Sequence, residues 1–189
     1  MLVLVIAAVV GGLTSPGQQY LPDPVRPLAN SAGPWFLTVL VVVYVSRVRL
    51  VPGIVLGIVG FWMMVLAYYL LSGWRGYPAG GLVTVWAFAA VLVGPVVGIT
   101  ALWLRSPRTQ FVAIAAGVPA AVLIGEGAYG LLVVMATTGP LFWIIEIVAG
   151  VTILAAIAVT RIRRSRWILL SVGLALAGAA LFFVGYRLV

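Results

Sequence analysis

An all-α, polytopic bundle of transmembrane helices is the fold class this sequence predicts, and three observations predict it. Hydrophobic residues make up 65% of the 189 positions and charged residues 7%, with a mean hydropathy of +1.27, far outside the soluble globular range. The apolar residues fall into runs on the scale of a hydrocarbon core of ~30 Å. Arginines punctuate those runs on alternate sides, as membrane topology requires. The count is seven spans in one transmembrane domain, 1–189, or six if the short first run does not cross.

Composition also excludes chemistry. The net charge of +8 comes from eleven arginines against Asp23, Glu126 and Glu146, and lysine is absent. A pI near 10.9 would point to nucleic acid on a soluble domain, but here the arginines flank apolar runs and the bilayer is the expected partner. With no cysteine or histidine, disulfides, thiolate nucleophiles, Cys or His metal sites, His-ligated haem and an imidazole base are all excluded. Without lysine there is no Schiff base. No catalytic residue, metal site or cofactor is assigned, and an intramembrane enzyme would have only carboxylates, tyrosines and hydroxyls to work with.

The first run, Met1 to Leu13, lacks the basic flank and cleavage site of a secretory signal and reads as a retained helix. It spans only ~20 Å at 1.5 Å per residue. Thr14 to Gly33 follows, with Pro16, Pro22, Pro24 and Pro27, and its proline content predicts turns and extended backbone. This long outer loop carries Tyr20, Leu21, Val25 and Leu28, with which a lid could pack. Pro34 to about Ser46 begins as a helix with Ser31 as cap. Val51 to Ser72 is a full span, as is about Ala79 to Leu104. Thr109 to Thr137 is long enough to tilt. Gly139-Pro140 breaks the chain, Leu141 to Thr160 runs back, and Trp167 to Tyr186 closes it. Gly53 with Gly57 and Gly94 with Gly98 are GxxxG pairs suited to close helix packing. Pro95 and Pro119 mark two kinks at similar depth, which either shape the bundle or hinge a hairpin.

Loops after the second, fourth and sixth spans carry Arg47 and Arg49, Arg105 and Arg108, then Arg161, Arg163, Arg164 and Arg166. The opposite side carries Arg26, Arg75 and Arg187. The positive-inside rule therefore puts the N-terminus in the cytoplasm and the C-terminus outside. Trp35, Trp74 and Trp143 near outer ends, with Trp103 and Trp167 near inner ends, fit interfacial belts. Trp62 and Trp86 do not.

Glu126 is the feature that most needs explaining. A carboxylate at bilayer depth is costly, so such groups face a bundle interior, a partner or a water-filled cavity. Helical rise puts Glu126 ~16 Å and Glu146 ~9 Å below the same outer face, on helices joined by a tight turn. Each has a glycine four residues on, Gly130 and Gly150, and an aromatic three residues away, Tyr129 and Trp143, so each carboxylate should stand beside a notch and a ring. Carboxylates with aromatic walls suit a small cationic or polar ligand. The candidate ligand-binding residues are Glu126, Glu146, Tyr129, Trp143 and Trp86, with Arg75, Tyr20 and Asn30 from the outer turn and loop. The structural alternative is that Arg75 or Arg26 reaches in to neutralise a glutamate.

Leu13-Thr-Ser-Pro-Gly-Gln18, Leu21-Pro-Asp-Pro24, Leu28-Ala-Asn-Ser-Ala32 with Trp35, Arg75-Gly-Tyr-Pro-Ala-Gly80, Gly125-Glu-Gly-Ala-Tyr-Gly-Leu131 and Trp143-Ile-Ile-Glu146 together resemble a family of small multi-spanning membrane proteins of unknown function from high-GC Gram-positive bacteria. The resemblance implies a multi-pass protein of the bacterial plasma membrane and brings no activity with it. In architecture alone the chain also looks like the substrate-binding subunits of energy-coupling-factor transporters, whose outer loops cap a ligand pocket; their ligand motifs are absent. The expected function is a membrane-embedded binding or transport component with an outward-facing pocket around the two glutamates. The alternatives are a scaffold subunit of a larger membrane complex, associating with a membrane protein or with itself, and an intramembrane lipid-modifying enzyme.

Overall fold

In the computed structural model, which describes residues 1–77 and 80–187, every regular element among those residues is helical. Eight α-helices run in chain order: α1 (Leu2–Tyr20), α2 (Ala32–Val45), α3 (Leu50–Trp74), α4 (Leu82–Leu104), α5 (Thr109–Tyr129), α6 (Met135–Thr138), α7 (Leu141–Ile157) and α8 (Ser165–Tyr186). A 3-10 helix, Asp23–Ala29, joins α1 to α2, and π-helical turns at Gly130–Val134 and Ala158–Ile162 extend α5 and α7. Among the described residues six helices are long and apolar enough to cross a membrane. The count is seven if Asp23–Ala29 and Ala32–Val45, bent by 50° at their junction, form one broken span. The expected start of the fourth span at Ala79, and Pro78 and Ala79 of the outer-turn motif, lie outside the described residues.

Two expectations for the N-terminal third change. Helix α1 does not stop at Leu13 but continues to Tyr20 through Pro16, so it is long enough to cross. The short member is instead α2, with 14 residues. Proline content put Thr14–Tyr20 in the loop, but tertiary partners keep its polar side chains helical. The Thr14 hydroxyl donates to the Val10 carbonyl at 3.0 Å and accepts from Trp35 Nε1 at 3.2 Å, while Ser15 accepts from Arg75. Thr14 and Ser15 are both buried. The connection left between α1 and α2 is short, and most of it is the 3-10 helix.

The chain packs as two compact units. The first comprises Met1–Leu21 and Pro34–Leu102. Here Val3, Ala7, Gly11 and Thr14 form one buried stripe of α1, which packs on α3. At Gly11 the approach is so close that an added Cβ would strike the Met64 backbone. The two predicted GxxxG pairs do pack helices: Gly57 faces the Gly94 carbonyl, and Cβ atoms on Gly94 or Gly98 would meet the backbone of α3 at 2.5 Å. Trp62 is half exposed on α3.

The second unit comprises Pro22–Gly33 and Trp103–Val189, of which Leu188 and Val189 are not described. Helix α5 is its axis, packed against α7 and α8. Small residues make this possible. Gly117 and Gly125 of α5 lie against the backbone of α8 at Ser171 and Ala179, and Gly150 of α7 lies against Ala120 and Leu123. The core of Val112, Ala113, Ala116, Ala120, Leu154, Ile162 and Ala175 is therefore dense rather than hollow. Gly139, at φ 71°, makes the predicted break before α7, a conformation glycine adopts without strain. The 3-10 helix packs against α6 and α7, which brings the following Ser31–Gly33 onto the two glutamates.

Candidate functional site: a buried carboxylate pair

Glu126 and Glu146 come together, as their spacing on neighbouring helices predicts. They are 1% and 4% exposed, which makes them the two ionisable side chains in the buried core among the described residues. What covers them is the chain itself. The Ala32 N–H donates to Glu126 Oε1 at 2.7 Å and the Gly33 N–H to Glu126 Oε2 at 2.5 Å. These are the first two amides of α2, which no intrahelical carbonyl can satisfy. The third position is Pro34, which has no N–H to satisfy. A carboxylate from α5 thus takes the two amides with which α2 begins, through charge-assisted bonds.

Ser31, expected to cap α2 itself, does something different. Its hydroxyl lies between the two carboxyls and donates to Glu146 Oε1 at 3.3 Å. Glu146 Oε2 is buried and has no hydrogen-bond partner among the described residues. The Glu126 carboxyl stands close enough to act on it electrostatically. Tyr186, at the end of α8, brings its hydroxyl to Glu126. A Cβ at Gly33 would meet Glu146 Oε1, Leu123 Cδ2 at 2.8 Å and Glu126 Oε2 at 3.1 Å, so those side chains would have to shift to admit one.

The remaining predicted residues divide. Tyr129 sits one turn from Glu126 and packs edge-on against Tyr186 at 4.9 Å and Phe183 at 6.1 Å, so it supports the tyrosine that reaches the carboxylate. Trp143 is buried with its ring over Gly130, and its Nε1 donates to Thr138 Oγ1 at 2.8 Å. The notch at Gly130 is filled by that ring, and the one at Gly150 by Leu123 and Ile124. Both are packing notches rather than ligand notches. Asn30 is exposed at the end of the 3-10 helix.

Arg75, Tyr20 and Trp86 belong to the first unit. Trp86 is half-buried on α4. Arg75 donates to Ser15 Oγ at 2.8 Å and to Gln19 Oε1, with Tyr20 and Tyr77 flanking its guanidinium. Arg26 pairs with Asp23 at 2.5 Å. The arginines proposed to neutralise a glutamate are thus engaged elsewhere, and Glu126 is met by amides and hydroxyls.

Sequence reasoning missed Tyr186 and the Ala32 and Gly33 amides. Backbone donors leave no compositional signal. Tyr186 lies 60 positions from Glu126, with only its place near a helix end to mark it. Among the described residues no group of three or more acids gathers as a metal cluster would. No curated protein and no solved structure matches the chain. The sequence profile of a family of unknown function, DUF6518, matches residues 1–189, and the chain belongs to that family.

Proposed function

We propose that the chain is a membrane-embedded binding or transport component of the bacterial plasma membrane, with its N-terminus cytoplasmic, in which Glu126 and Glu146 form a cation-responsive latch on the Asp23–Gly33 segment. The observation that carries this reading is Glu146 Oε2, a carboxylate oxygen buried beside a second carboxylate without a donor. Acids within spans cluster at substrate and ion pathways. An unpartnered oxygen there is a ligand atom that a monocation could take without competing with a protein donor. With the monocation bound, the mutual repulsion of the pair is offset and Ser31–Gly33 stays seated. Without it, the pair can sit together only if one carboxyl carries a proton, and a second ionisation, which costs several kcal/mol in one buried site, drives the segment off. A small cationic or polar solute then exchanges from the outer side. Two carboxylates supply too few oxygens for Ca²⁺, which takes about six to eight, so the ligand class is monovalent.

The test is thermal unfolding of the purified protein in detergent with Li⁺, Na⁺, K⁺ or tetramethylammonium chloride, against N-methylglucamine chloride at equal ionic strength. Site binding stabilises the folded state by mass action, about 2.7 kcal/mol at a hundredfold excess over Kd. At least one probe should raise the midpoint of the wild type and not of Glu146→Gln. Identical responses of the two proteins to every probe would overturn the proposal.

A further inference from the structure

A second site of opposite sign lies wholly within the first unit. Arg75 follows the last residue of α3, where a cation complements the helix dipole. Its guanidinium is fixed on one edge by Ser15 and Gln19. Tyr20 and Tyr77 hold it from the sides, with ring centroids 5.6 and 5.5 Å from its central carbon. Those hydrogen bonds use two of five N–H donors. The one ion pair among the described residues is Arg26 with Asp23, so no carboxylate balances Arg75 there. Beside it lies an open surface depression of about 330 Å³ lined by Gln19, Tyr20, Trp74, Arg75 and Tyr77.

The walls of that depression are amphipathic. Trp74, Tyr20 and Tyr77 are 85%, 73% and 56% exposed, and each carries a polar N–H or O–H on an apolar ring. Such residues belong at headgroup depth. A pre-positioned, unbalanced guanidinium with donors to spare, at that depth, has the recognition chemistry of a phosphate group, which accepts paired N–H bonds from the planar fork. We propose that Arg75, Gln19, Tyr20, Trp74 and Tyr77 form a binding site for a singly charged phosphate, independent of the carboxylate pair.

Native mass spectrometry tests this on the full chain released from nanodiscs of equal phosphatidylglycerol and phosphatidylcholine, and separately after titration with inorganic phosphate. The wild type should retain phosphatidylglycerol or bind phosphate, and Arg75→Gln should lose about tenfold in that binding, the scale of one charge-assisted pair. Arg75→Lys, lacking the fork, should recover only part. Tyr77→Leu, which keeps the guanidinium, should weaken retention while leaving the melting curve intact, and so reads the site even if Arg75→Gln folds poorly. Retention of lipid without phosphate binding identifies a headgroup site, and phosphate binding without lipid preference identifies a soluble anion. Binding that is absent in the wild type, or equal in wild type, Arg75→Gln and Tyr77→Leu, would overturn the proposal.

Discussion

The carboxylate pair and the Arg75 depression solve the same problem, a charge in a mostly apolar chain, in opposite ways. Glu126 is removed from solvent and stabilised by protein dipoles: two amides at a helix start, a serine and a tyrosine hydroxyl. Arg75 stays at the rim among exposed aromatic rings, with donors left over. A charge satisfied internally holds the fold and can respond only if a partner is exchanged. A charge left unsatisfied at an interface contributes little to the fold and is available to a ligand. The difference teaches where to look for stability and where for binding.

That comparison breaks if substitutions fail to rank as it requires. Glu126→Ala should cost most, about 2–5 kcal/mol, because the Ala32 and Gly33 amides are left buried and unpaired, as read from unfolding in mixed micelles. Glu126→Gln keeps one acceptor oxygen and should cost about half as much. Gly33→Ala should follow at about 1–3 kcal/mol, since its Cβ forces the carboxylates apart in a packed site; a double-mutant cycle with Glu146→Ala should show a shared term. Ser31→Ala should cost about 1 kcal/mol through the lost bond to Glu146. Arg75→Gln should cost least, about 1 kcal/mol or less, because Arg75 and its partner Gln19 are at least partly exposed and only the bond to Ser15 reaches a buried group. If Arg75→Gln destabilised the protein as much as Glu126→Ala, the distinction between a structural and an available charge would fail.

Periodic features of this protein were legible before its structure. Apolar runs separated by arginines marked the spanning helices, and the GxxxG spacing of Gly53, Gly57, Gly94 and Gly98 marked where backbones touch. The pairing of Glu126 with Glu146 followed from helical rise and the Gly139-Pro140 turn. What could not be read was anything decided by a distant partner. Thr14–Tyr20 looked like loop because local propensity does not register Trp35 or Arg75 arriving to satisfy Thr14 and Ser15. The search for a counter-charge to Glu126 went to arginine side chains, whereas the donors are main-chain amides more than ninety positions away. The glycines beside each glutamate promised cavities, but a tryptophan and two aliphatic side chains fill them.

Whether Glu126 holds the Asp23–Gly33 segment in place can be measured directly, because the chain has no native cysteine. Ala29 is 6% exposed in that segment, so an Ala29→Cys protein reports release through its rate of labelling by a membrane-impermeant maleimide. Adding Glu126→Ala should raise that rate by at least about tenfold, the factor that 1.4 kcal/mol of lost latching corresponds to. Equal labelling rates in the two backgrounds would contradict the latch.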